Sequence, residues 1–193
     1  DIQLEKVLSL KRGGVRLVGI TNAPQFKTTE EFLADLCSKK ELITVVTEMP
    51  YLALNWIQNS LKKIGRFEDY KDFSVQKYKS PSRIQKGVLI YETWGKTEAK
   101  IKNGGADLGL EITQSGSAIR NYGLTITETV IESETGIYIN PSLKKETEKL
   151  EILKMFLLNL YGVVNAENKV MVLFNVPNDK VQEIENYMSN HTL

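Results

Sequence analysis

The segment Ala106–Leu124, ADLGLEITQSGSAIRNYGL, decides how the rest of the 193-residue chain is read. Ala106 to Ile112 has the composition of a buried strand, Thr113-Gln114-Ser115-Gly116-Ser117 is small and polar, and Ala118 to Tyr122 can begin a helix. Strand, short loop and helix in that order is the repeating step of an α/β fold. The same order builds an anion site. The loop and first helical turn present free backbone N–H groups, the hydroxyls add donors, the glycine allows close approach, and Arg120 supplies a charge nearby. Ser-Gly-Ser is equally an ordinary turn. Glu111 falls at the carboxyl end of the strand, where open α/β sheets bind ligands. It can hold sugar hydroxyls or a metal-bound phosphate, or it can be a solvated strand-end acid.

Outward from this segment the alternation continues. Val15–Ile20 reads as a strand and is followed by a capping box, Thr28-x-x-Glu31, that opens a helix burying Phe32, Leu33 and Leu36. Ile43–Thr47 is a second strand. Pro50 starts a helix with Leu54, Ile57, Leu61 and Ile64 at helical spacing, and Gly65 is placed to end it. Residues 66–86 turn polar, with room for one strand at Phe73–Lys77 and a break at Ser80-Pro81. Val88–Tyr91 is a strand, and Lys96–Lys102 is a helix stopped by Asn103-Gly104-Gly105. A strand pair is expected in Thr125–Ile131 and Gly136–Ile139. Asn140-Pro141-Ser142 should open a helix with Leu150, Leu153, Leu157, Leu160 and Val164 on one side, and Val170–Val176 with a final helix through Val181, Ile184 and Met188 close the chain. The sum is an α/β architecture with a largely parallel sheet.

Composition removes several function classes. Twenty-five Lys+Arg against 24 Asp+Glu give a net charge of +1, so no overall field attracts nucleic acid or an anionic membrane. One cysteine, Cys37, and one histidine, His191, argue against a disulfide framework, a cysteine zinc site and a Cys/His catalytic apparatus. No apolar run approaches the ~20 residues that span a bilayer, and no signal pattern opens the sequence. The expectation is a soluble, cytoplasmic protein with neither nucleic-acid nor membrane partners.

Glu111-Ile112-Thr113-Gln114-Ser115-Gly116-Ser117-Ala118-Ile119, with Gly123-Leu124 after it, resembles the phosphoribosyl-pyrophosphate loop of the ATP phosphoribosyltransferases, which open histidine biosynthesis. The likeness extends in order through Ile43–Leu52, the Gly95-x-x-Glu98 segment within Glu92–Lys100, Glu134–Asn140 and Val163–Val176. It implies a two-lobed α/β fold like that of type II periplasmic binding proteins, with one lobe incomplete. Residues 42–124 would form the lobe carrying the loop, 1–41 and 125–169 the flanks of the other, and 170–193 the possible start of a regulatory domain. The resemblance further implies Mg2+-assisted transfer of a phosphoribosyl group from phosphoribosyl pyrophosphate to N1 of ATP, in a homo-oligomer, dimer or hexamer. Thr113, Gln114, Ser115, Gly116, Ser117 and Ala118 would hold the sugar's 5′-phosphate, Glu111 its ribose hydroxyls, and the metal would ride on substrate oxygens. This chain departs from the family at Ala118, which replaces a hydroxyl residue, at Ser115, which replaces threonine, and at Gln114, which replaces a frequent acid. The family's Lys-Gly-Arg nucleotide segment has no match, so the sequence reads as a shortened or proteolysed long-form enzyme. A non-catalytic sensor of small anions with the same fold, or an inactive fragment, are the competing readings.

The other conspicuous residues have plainer explanations. Trp56 and Trp94 can stack on adenine but read first as partial core. Tyr70, Lys77, Tyr78, Lys79, Arg83 and Lys86 read as a solvated excursion rather than a nucleic-acid platform. Lys144–Lys149 reads as an exposed helix face, Cys37 as an inert buried thiol, and His191 as a mobile tail residue.

Overall fold

The computed structural model describes residues 3–190, so His191 lies outside the described residues. In chain order the elements are β1 (Glu5–Ser9), β2 (Val15–Thr21), α1 (Thr29–Lys39), β3 (Leu42–Thr47), α2 (Pro50–Lys63), β4 (Phe73–Lys77), β5 (Gly87–Glu92), α3 (Thr97–Lys102), β6 (Leu108–Thr113), α4 (Ser117–Asn121), β7 (Thr125–Ser133), β8 (Gly136–Ile139), α5 (Thr147–Ala166) and α6 (Val181–Asn190). Contacts divide the chain into two compact units, one of residues 11–137 and one of residues 1–10 with 138–193.

The larger unit is a six-stranded sheet in the order β4-β5-β3-β6-β2-β7. β4, β5, β3 and β6 run parallel, and β2 is antiparallel to both β6 and β7. Alternation along the strands feeds two apolar layers. Leu17, Ile43, Val45, Val88, Ile90, Leu108 and Leu110 pack with Phe32, Leu33 and Leu36 of α1 and Leu54, Trp56, Ile57 and Leu61 of α2. On the other face Val18, Ile20 and Val46 meet Ile101 of α3 and Ile119 of α4. The Thr28/Glu31 capping box forms as the sequence implies: the Glu31 N–H donates to Thr28 Oγ1 at 3.2 Å and the Thr28 N–H to Glu31 Oε2 at 3.3 Å. Cys37 is buried, and burial pushes its thiol pKa up.

Asp107, just ahead of β6, fixes its register against β3. Its Oδ2 accepts from the Thr44 N–H at 2.9 Å and from Thr44 Oγ1 at 2.8 Å, its N–H donates to the Thr44 carbonyl at 3.0 Å, and Lys40 pairs with Oδ1. Near the other end of the same strand pair, the buried Thr47 Oγ1 donates to the Leu110 carbonyl at 2.8 Å.

In the smaller unit β1 pairs with β8. A short 3-10 turn, Pro141–Lys145, precedes α5, and another, Asn178–Lys180, precedes α6.

Several expectations are corrected. β7 and β8 do not pair with each other: β7 joins β2 and β8 joins β1, a strand not foreseen. Asn140 caps the 3-10 turn, accepting from the Ser142 N–H at 3.0 Å, and α5 begins only after Glu146 because that residue is extended. The expected face of Leu150, Leu153, Leu157, Leu160 and Val164 is nonetheless the better-covered side of α5. Val170–Val176 forms no strand, and all of it but the partly covered Val176 is exposed, since among the described residues no strand lies alongside to pair with it. The polar stretch is less solvated than it reads. β4 extends the sheet edge, Gln76 is buried and accepts from the Arg83 N–H at 2.9 Å, and Tyr70 is only 4% exposed.

The Tyr70 hydroxyl donates to the carbonyls of Lys40 and Cys37 at the end of α1. Burial, reinforced by the contact with Cys37, pushes its pKa up to about 12. The folded state therefore holds the neutral phenol while the unfolded chain ionises near pH 10, so Tyr70's contribution is full below that pH and is lost as pH rises toward 12. Replacing it by phenylalanine should cost about 1 kcal/mol at pH 8. Urea melts of wild type and Y70F should show that difference shrinking as pH climbs above 10; a constant difference would contradict the assignment.

Candidate functional site

Because β3, β5 and β6 are parallel, their carboxyl ends lie along one edge of the sheet, and the chemistry-bearing residues gather there. β6 ends at Thr113. Gly116 follows in the left-handed conformation, φ +74°, and is the residue before α4. The backbone angle selects glycine, and a Cβ there would also sit tightly, 3.1 Å from Arg120 Nη1 and 3.3 Å from Ile126 Cδ1.

The loop is internally hydrogen-bonded. The Gly116 N–H donates to Thr113 Oγ1 at 2.9 Å and the Ser117 N–H to Ser115 Oγ at 3.3 Å. Ser115 Oγ and Ser117 Oγ are 2.8 Å apart, and Arg120 Nη2 donates to Ser117 Oγ at 3.4 Å. Gln114, Ser115, Ser117 and Ala118 are exposed, Thr113 is partly covered, and Gly116 and Ile119 are buried. The chain thus presents hydroxyls, amides and one guanidinium at an open turn, with Ile119 anchoring the turn in the core.

Glu111 lies half-buried on the same strand, and its Oε1 accepts from the Ile112 N–H at 3.0 Å. Burial holds its carboxyl above the ordinary carboxylate range. Thr97 opposes this by favouring the charged form, the Glu98 carboxylate adds to it, the Ile112 amide lowers it and Glu48 raises it. The Thr97 hydroxyl is fully buried and leans toward Glu111 without completing a well-formed hydrogen bond to any described group. Lys100 completes the cluster: burial lowers its pKa against the opposing pull of Glu48 and Glu111. Its Nζ donates to the Gly95 carbonyl and sits 5.2 Å from the centre of the Tyr78 ring.

This edge brings Glu111 and the Thr113–Ala118 loop together. It also adds Glu48, Thr97, Glu98 and Lys100, which sequence reading did not select. Gly95-x-x-Glu98 was the available signal for Glu98, whereas Glu48 and Lys100 become neighbours of Glu111 only through strand order. Trp56 is core as expected, its Nε1 donating to Glu128 Oε2 at 2.8 Å. Trp94 is not core: its side chain is 88% exposed, because it falls in the turn after β5, beyond the last paired residue, Glu92.

A family model, ATP phosphoribosyltransferase (HisG), matches residues 1–160. The chain belongs to the ATP phosphoribosyltransferase family. It is 32% identical over 102 residues to the ATP phosphoribosyltransferase of Methanocaldococcus jannaschii, covering 53% of this chain and 35% of the relative. It is 26% identical over 157 residues to that of Archaeoglobus fulgidus, covering 78% and 56%. The matches therefore span between about a third and just over half of the relatives' length. Among solved structures, the ATP phosphoribosyl transferase (HisG:HisZ) complex from Thermotoga maritima aligns over 86% of this chain and 64% of that chain, with a TM-score of 0.51 at 16% identity, a likeness of fold alone. The mixed α/β fold expected from the family resemblance is the one observed.

For a member of the ATP phosphoribosyltransferase family, the raised Glu111 pKa has a direct consequence. The folded state favours the neutral acid, so this group disfavours folding as pH rises past the ordinary carboxylate value. Glu111→Gln should raise the urea midpoint at pH 7, with the advantage disappearing below about pH 4. An E111Q protein less stable at pH 7 would show that Glu111 is not held at a cost.

Proposed function

We propose that this chain is part of an ATP phosphoribosyltransferase that joins N1 of ATP to C1 of the ribose of phosphoribosyl pyrophosphate, the first step of histidine biosynthesis. The supporting observation is the family match over residues 1–160, a span that contains the loop and the acidic cluster. Thr113, Gln114, Ser115, Gly116, Ser117 and Ala118 would hold the 5′-phosphate, the hydroxyls that now satisfy the loop amides giving way to phosphate oxygens. Glu111 would take the ribose hydroxyls.

In the reaction the N1–C1 bond forms as the bond from C1 to the pyrophosphate oxygen breaks, and pyrophosphate leaves with the electron pair. The sugar passes through a cationic, oxocarbenium-like state, so the protein must position two substrates and stabilise positive charge. Glu111, Glu98 and Glu48 supply that stabilisation in this reading. Burial is the main cause of the raised Glu111 pKa and the charges of Glu98 and Glu48 add to it, so a cation developing beside Glu111 would favour its ionised form. Thr97 would orient Glu111. Mg2+ would enter on the pyrophosphate oxygens and screen the leaving group. Among the described residues no group of three or more His, Cys, Asp or Glu is set to hold a metal ion.

Residues 42–124 are proposed as the lobe bearing the phosphoribosyl site, 1–41 with 125–169 as flanks of the other lobe, and 170–193 as the start of a regulatory domain. A cytoplasmic location and a homo-oligomeric assembly belong to the same proposal. No helix among the described residues is long and apolar enough to cross a membrane.

Mixing the chain with ATP, phosphoribosyl pyrophosphate and Mg2+ should produce the altered ultraviolet absorbance of N1-substituted adenine. Binding of phosphoribosyl pyrophosphate without turnover would favour an inactive fragment. Gly116→Val should weaken that binding at least about 100-fold, since a branched side chain must be forced into a left-handed position. It should lower stability by about 1–2 kcal/mol and leave the circular-dichroism spectrum unchanged. Unaltered binding by G116V would remove the loop from the mechanism.

A further inference from the structure

Trp94 stands apart from the rest of the carboxyl-end edge. Its neighbours in the chain are fixed on both sides. The buried Thr93 donates its N–H to the Thr47 carbonyl at 2.9 Å, the Gly95 N–H donates to Glu48 Oε1, and the Gly95 carbonyl accepts from Lys100 Nζ. Gly95 and Lys96 are both left-handed, φ +66° and +59°, which turns the backbone sharply after the indole. The result is a large apolar ring, 88% exposed, on a turn held by three hydrogen bonds that reach two other elements. A single exposed apolar side chain is ordinary in itself; this one is mounted on the same residues, Glu48 and Lys100, that adjoin Glu111.

Its place in the sheet sets a distance. Trp94 follows β5, the Thr113–Ser117 loop follows β6, and β3 separates the two strands. Two strand spacings amount to about 10 Å. That gap accommodates a ribose and the acidic cluster between a phosphate held at the loop and a flat ring standing at the turn.

We propose that Trp94 is a binding residue for the nucleotide substrate, a platform on which one face of the purine base stacks while the phosphoribosyl group occupies the loop. This deepens the function proposed above and rests on it for the identity of the second ligand. The preformed turn fixes the backbone that carries the ring before the base arrives, so stacking need order only the indole side chain. Trp56, buried against the sheet and bonded to Glu128, is not available for such a role.

The test uses the full chain and two ligands, ATP, which has a base, and ribose 5-phosphate, which has none. Base stacking on an aromatic side chain corresponds to a loss of roughly 5- to 100-fold in affinity on truncation. Trp94→Ala should therefore weaken ATP binding by at least about fivefold, Trp94→Phe should retain most of it, and neither should alter ribose 5-phosphate binding. ATP should also shield the exposed tryptophan of the wild type from acrylamide quenching. The urea midpoint of W94A should equal that of wild type, which separates lost stacking from lost folding. Failure of the wild type to bind ATP, equal ATP affinity of W94A and wild type, or equal weakening of both ligands by W94A would overturn the proposal. Tryptophan-dependent ATP binding without any ribose 5-phosphate binding would leave Trp94 in place and refute the phosphate role of the loop.

Discussion

The hydrogen bonds between Asp107 and Thr44 set the frame on which this site is built. One carboxylate oxygen receives both the amide and the hydroxyl of Thr44, and the backbone of Asp107 returns a bond to the Thr44 carbonyl. With Thr47 bonded to the Leu110 carbonyl farther along, β3 and β6 are locked in register near both ends. A strand alternates sides with every residue, so a slip of one position would turn Glu111 to the opposite face and bring Leu110 or Ile112 to the edge cluster instead. The position of Glu111 and of the loop after it follows from this pairing.

That edge combines like charges in a partly buried setting. Glu48 follows β3, Glu98 lies in α3 and Glu111 in β6, and Lys100 provides a counter-charge whose own protonated form is weakened by burial. Holding Glu111 charged in this setting disfavours the folded state above the ordinary carboxylate range. The phenolic and thiol groups at the far end of α1 behave differently. Tyr70 and Cys37 are held neutral by burial and serve packing.

Much of the larger unit was legible because local signals and burial agree there. Thr28 and Glu31 form a capping box before an apolar helix face, Pro50 and Gly65 bracket a second helix, and each β-branched run has a turn at its end. The loop after β6 was legible as a turn rich in donors. What could not be read depends on distant partners. Val170–Val176 has strand composition, but a strand exists only when another lies beside it. β1 was missed because Glu5 and Lys6 interrupt its alternation and its pairing with β8 spans most of the chain. The charges around Tyr70 suggest solvation, although its ring belongs to the core and its hydroxyl bonds to carbonyls at the end of α1. Trp94 was read as core from residue type alone, and only the end of β5 pairing at Glu92 explains its exposure. Glu48 and Lys100 carry no motif of their own.

The loop answers two of its own amides with its own hydroxyl oxygens: Thr113 takes the Gly116 amide, and Ser115 takes that of Ser117. An anion docking on these two amides would do so by exchange, its oxygens displacing hydroxyls already seated within hydrogen-bond range. Selectivity in such a turn comes from how many acceptors arrive together and at what angles. A tetrahedral group, with oxygens pointing several ways at once, can replace the whole set, while a planar carboxylate or a chloride ion can replace only part of it.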